Sequence, residues 1–132
     1  MKKFILLLFA LNLGTLHMFG QNKGSTSIAV FNGDQTSLDK EINSKTVSFT
    51  IINQDENSRN NFEKNIGMYS NSFMIYYPTI RESKTSQVYI LTLINKAEIK
   101  MLRRLFISSN IKEIQFDGNT MNLELFFKPY MK

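Results

Sequence analysis

Apolar and polar positions alternate in two rhythms along this chain. Lys45-Thr-Val-Ser-Phe-Thr-Ile-Ile52 puts Val47, Phe49 and Ile51 on one side and Ser48 and Thr50 on the other, the period of a half-buried strand. Asn53 stands three residues before Glu56, as an N-cap before a first-turn acid. Phe62, Ile66 and Tyr69 follow at helical spacing, which predicts a helix over 54–66 that stops at Gly67. Phe73-Met-Ile-Tyr-Tyr77 is a second strand, ended by Pro78. After a polar turn over 81–86, Val88 to Ile94 is apolar on both faces, as a central strand is. Asn95 then caps a helix whose Ile99, Leu102, Leu105 and Phe106 form one stripe. Asn110 closes that helix in the left-handed region. Lys112 to Phe116 alternates again, Asp117-Gly118 signals a hairpin, and Met121, Leu123, Leu125 and Phe127 alternate on the returning strand.

The order over 45–116 is strand, helix, strand, strand, helix, strand. It predicts an α+β domain, a ferredoxin-like βαββαβ plait over 45–132 that includes an added C-terminal hairpin strand. Two helices would cover one face of the sheet, with the first and third strands central. Before it, residues 21–44 read as an N-terminal extension. There Ser27 to Phe31 has the length of a short edge strand, and Thr36 to Asp39 resembles a capping box with one helical turn.

The first residues have a different pattern. Met1-Lys2-Lys3 is basic, Phe4 to Leu13 is apolar, and Gly14 and Gly20 follow, the arrangement of a secretory signal peptide over 1–20. Asn12, Gly14, Thr15 and His17 interrupt the run well short of the roughly 20 apolar residues that a membrane span needs. The expectation is an exported protein, periplasmic or secreted, with no integral span in its mature part. Removing that segment takes Lys2 and Lys3 away and lowers the formal charge of +5 by two. The remaining excess is too small to argue for nucleic acid as a partner.

Residue types narrow the chemistry further. There is no cysteine, hence no disulfide framework, thiolate nucleophile or lipid-attachment site, and the one histidine, His17, lies in the signal. No Gly-x-Ser-x-Gly elbow, P-loop or dinucleotide fingerprint is present. Asp55 and Glu56 suit a helix start better than an acid–base pair. Asp34, Asp39 and Glu41 lack calcium-loop spacing. Met68, Met74, Met101, Met121 and Met131 are scattered, and Lys96, Lys100, Arg103 and Arg104 read as a solvated helix face. Neither enzyme activity nor a cofactor is expected.

Thr46 to Ile52, Phe62-x-x-x-Ile66-Gly67 followed by Phe73-x-Ile75, and Val88 to Ile94 before the second helix together resemble the heavy-metal-associated domains of copper chaperones and metal-pumping ATPases. The resemblance implies the same plait. That family holds copper(I) with a Cys-x-x-Cys pair after the first strand, where this chain has Asn53-Gln-Asp-Glu-Asn-Ser58, so no metal ligand carries over. The sheet face turned away from the helices would carry Met74, Tyr76, Val88, Ile90 and Thr92 beside Ser48 and Thr50. Either Ile28 to Phe31 or the C-terminal strand would otherwise fold over it. The expected function is therefore a small exported binding or assembly module. It would use this face or an edge strand for a protein partner or for self-association. The alternative is a degenerate metal-handling domain using methionine or carboxylate ligands.

Overall fold

A computed structural model describes residues 26–76 and 83–131, apart from the side chain of Tyr76. The signal-peptide reading over 1–20 lies outside these residues, as do Tyr77 and Pro78. Among the described residues no helix is long and apolar enough to cross a membrane.

The fold is α+β. Its elements are β1 (Ile28–Phe31), α1 (Gln35–Asn43), β2 (Thr46–Ile52), α2 (Glu56–Gly67), β3 (Phe73–Tyr76) and β4 (Gln87–Leu93). A 3-10 turn over Lys96–Glu98 leads into α3 (Ile99–Ser108), followed by β5 (Glu113–Phe116), β6 (Asn119–Asn122) and α4 (Leu123–Phe127). The strands form one mixed sheet in the order β3-β4-β2-β1-β5-β6. β1 runs antiparallel to β2 and parallel to β5; the other neighbours are antiparallel.

Ser27 to Phe31 is thus not an edge strand. It lies in the interior of the sheet, with Ala29 buried on the helical side and hydrogen-bonding neighbours on both flanks. A four-stranded plait would pair β2 with β5; here β1 separates them. The short segment succeeds as an interior strand because Ala29 and Phe31 both project into the core, while Ile28 and Val30 take the other face.

Two other expectations are corrected. The segment after Phe31 forms a nine-residue helix rather than one turn. Asp34, not Thr36, caps it by accepting the Ser37 N–H at 2.9 Å, and Leu38 and Ile42 are buried. The returning strand of the hairpin ends at Asn122. Leu123, Phe126 and Phe127 are buried at helical spacing, while Leu125 is 57% exposed, so period two fails there and α4 forms. Asn122 starts that helix by accepting the Leu125 N–H at 2.8 Å.

All four helices send their buried residues into one core cluster with Val47, Phe49, Ile51, Tyr89, Leu91, Leu93 and Ile114 of the sheet. The stripe expected on α3 is the observed one, with Ile99, Leu102, Leu105 and Phe106 buried. Phe106 lies at its centre, with ring centroids 5.2 Å from Phe49, 6.0 Å from Phe127 and 6.3 Å from both Phe31 and Phe62. Asn65 of α2 bridges to the end of α3, donating to the Ser108 carbonyl and the Ser109 hydroxyl, both at 3.1 Å.

Candidate functional site

Strand pleating leaves a second sheet face, opposite the core. β3 contributes Met74 and β4 contributes Val88, Ile90 and Thr92, while β2 adds Thr46, Ser48, Thr50 and Ile52 and β1 adds Ile28 and Val30. Register sets their neighbours. Met74 stands opposite Thr92, and Thr92 opposite Thr46. Val88 faces Thr50, which faces Val30, and Ile52 faces Ile28. Directly opposed side chains in such pairs lie about 5 Å apart, so these residues form a continuous surface rather than separate points.

Four of the five residues expected on this face can be placed. Met74 is 65% exposed, Thr92 is exposed, and Val88 and Ile90 are half-buried. The backbone of Tyr76 pairs with Ile90, and its side chain lies outside the described residues. Neither segment expected to cover the face does so. β1 is part of the sheet itself, and α4 packs on the helical side. Among the described residues, no helix places its buried side chains against this surface.

Sequence reasoning missed Ile28, Val30 and Ile52, which widen the apolar area across β1. The signal was there, since Ile28 and Val30 alternate with Ala29 and Phe31. What it lacked was the strand's place in the sheet. Ile94, 49% exposed, is next in the β4 alternation, and its N–H donates to the Ser72 carbonyl at 2.9 Å. Ser48 is engaged from the side: Glu41 of α1 accepts its N–H at 3.1 Å and its hydroxyl at 3.0 Å. That bond caps β2 where β1 has ended.

Several ionisable groups have structural partners. Asp34 and Asp55 accept the Ser37 and Ser58 N–H groups at helix starts. Those hydrogen bonds, chiefly the backbone ones, hold both carboxyls below their ordinary value. Asp55, not Asn53, caps α2; Asn53 instead adopts the left-handed region at φ 56°. Asp39 accepts from Gln35 at 2.9 Å and from the Tyr130 hydroxyl at 3.2 Å. Arg103 forks onto Glu124 at 2.7 and 3.1 Å. Burial, and then Glu63 close by, push the Tyr89 phenol far above its usual range, so it stays protonated. Among the described residues no three histidine, cysteine or acidic side chains converge as a metal site. Met68 and Met131 are exposed, whereas Met101 and Met121 pack against the core.

An open depression of about 760 Å³ lies where β1 and β5 end, lined by Asn32, Gly33 and Asp34 and by the Asp117-Gly118 turn. Its Asp34 carboxylate is already committed to the start of α1. Comparison with protein-family models, with characterised proteins and with solved structures yields no match for this chain.

Proposed function

We propose that the chain is an exported, non-enzymatic binding or assembly module that holds a protein surface against its open sheet face. The observation that carries this reading is the row of apolar side chains, Met74, Ile90, Val88, Val30, Ile28 and Ile52, on the side of the sheet away from the helices. Four strands of up to seven residues span roughly 400 Å² at ordinary strand spacing. That face also carries Thr46, Ser48, Thr50 and Thr92, and it is about half of what each partner contributes to a standard stable interface. The reading is therefore of a transient contact, or of one extended by the outer edge of β3. The same reading takes β2-α2-β3-β4-α3-β5 as a ferredoxin-like plait, related to the heavy-metal-associated domains, with β1 inserted between its first and last strands. The antiparallel run β3-β4-β2 has the strand order that such a plait has on that side.

The test is the double substitution Met74→Ser with Ile90→Ser. Neither residue belongs to the core cluster, so the melting temperature should change little. Light scattering over a concentration series should show self-association in the native chain and its loss in the variant. If the native chain is monomeric throughout, cross-linking in the exported fraction should yield a defined adduct that the variant does not form. Equal behaviour of the two chains in both measurements overturns the reading.

A further inference from the structure

Among the described residues, two buried side-chain polar atoms have no hydrogen-bond partner, Gln54 Oε1 and Arg59 Nε, and both lie where β2 passes into α2. Arg59 is 5% exposed, and among the described residues no carboxylate forms an ion pair with it. Buried charges are ordinarily paired, because an uncompensated one loses its hydration without return. The Arg59 Nη2 group donates to the Lys84 carbonyl, which fixes the guanidinium without neutralising it. Its flank forms one wall of an open depression of about 590 Å³, with Asp55, Glu56, Ser83, Lys84 and Thr85 around it.

The surroundings are built rather than loose. The Gln54 N–H donates to the Thr85 carbonyl at 2.8 Å, and the Ser83 hydroxyl accepts the Thr85 and Ser86 N–H groups at 3.2 and 3.0 Å. The 12-residue helix α2 begins at the same place, adding the partial positive charge of its first turn. Asp55 meets part of that charge by taking the Ser58 N–H at 2.7 Å.

We propose that this depression is a binding site for a single carboxylate group, with Arg59 as its counter-ion. A planar guanidinium matches a carboxylate in shape and charge. Asp55 and Glu56 at the rim, beside Arg59 and Lys84, disfavour a dianion such as phosphate more than a monoanion, because their repulsion grows with the charge of the ligand. Nε is closed to solvent, so the carboxylate meets the guanidinium at its remaining edge. The site lies on the helical side of the sheet and is independent of the open face. The carboxylate belongs either to a small organic acid or to the C-terminal end of a peptide.

Titration of the full chain, followed by amide and guanidinium NMR, tests this with sodium acetate, inorganic phosphate, and a short N-acetylated peptide as its acid and as its amide. Acetate should give saturable shifts confined to 54–59 and 83–86, and Arg59→Gln should weaken it by about tenfold or more. Glu56→Gln, an exposed change that leaves the fold intact, should tighten it by about twofold through lost repulsion. A peptide acid that binds better than both acetate and its own amide identifies a chain terminus; an acid no better than acetate identifies a small molecule. Absence of saturable shifts, an unchanged affinity in a folded Arg59→Gln protein, or tighter binding of phosphate than acetate overturns the proposal. Should Arg59→Gln fail to fold, an acetate affinity that Glu56→Gln leaves unmoved overturns it equally.

Discussion

At the scale of single residues, Phe106 and the two aspartate caps matter in different ways. Phe106 is fully buried and touches rings from β1, β2, α2 and α4, so no neighbour can collapse into the space it fills without disturbing another element. Phe106→Ala should cost about 3–5 kcal/mol, enough to leave the chain largely unfolded if its stability is ordinary. Urea titration would show it; a loss no greater than that of an exposed substitution would mean that the aromatic cluster is not the centre of the core. Asp34 and Asp55 act through charge. Their folded carboxyls titrate below the ordinary aspartate value, so their contribution is fully present once the pH is well above that ordinary value. It is lost as the pH falls through the lowered folded values. The urea midpoint should therefore hold above about pH 5 and drop as the pH falls below about 4. Replacing both residues by asparagine, which caps without titrating, should flatten that drop. An unaltered slope would assign the acid sensitivity elsewhere.

At the scale of elements, the C-terminal hairpin and α4 depend on one residue pair and one cap. Asp117 and Gly118 both have positive φ, 50° and 76°, the conformation of a two-residue hairpin turn that reverses the chain from β5 to β6. Asn122 then ends β6 and starts α4, and α4 carries Phe126 and Phe127 into the core against Phe31, Phe106 and Phe116. A five-residue helix has little stability of its own, so the cap and the two rings hold it together. Asn122→Ala should cost about 1 kcal/mol. It should also speed amide exchange in α4 ahead of the rest of the chain, measurable by hydrogen exchange. Uniform exchange across the chain would show instead that α4 opens only with global unfolding.

At the scale of the whole molecule, one cluster of buried residues reaches from β1 through every helix to α4. No described element has a core of its own, so thermal unfolding should be a single transition seen alike by far-ultraviolet and near-ultraviolet circular dichroism. Two separated transitions would show that β1 and α1 form a unit distinct from the remainder. The same arrangement concentrates the helices on one side and, among the described residues, leaves the opposite face outside the core cluster. On the proposed reading, binding and stability are divided between the two sides of one sheet. Substitutions at Met74, Val88 and Ile90 can alter contacts without unfolding the protein, whereas changes at Tyr89 or Leu91 cannot.

The chain's own periodicity determined β2, β4, the buried stripe of α3, the left-handed Asn110 and the Asp117-Gly118 turn, because each follows from spacing or backbone preference within a dozen residues. It also placed Met74, Val88, Ile90 and Thr92 on one side of their strands, since pleating makes side a local property. Three things were decided only by tertiary structure. The short segment Ile28–Phe31 became an interior strand, because the parallel pairing with β5 joins residues more than 80 positions apart, beyond any local signal. Leu123–Phe127 became a helix, because Phe31, Phe106 and Phe116 offered its two phenylalanines a buried place that a strand would have left half empty. Arg59, on a polar stretch that reads as surface, was buried beside Gln54 when the segment around Lys84 closed over it. Local pattern set what each stretch could form; long-range packing chose its neighbours, and with them the surfaces left for a partner or a ligand.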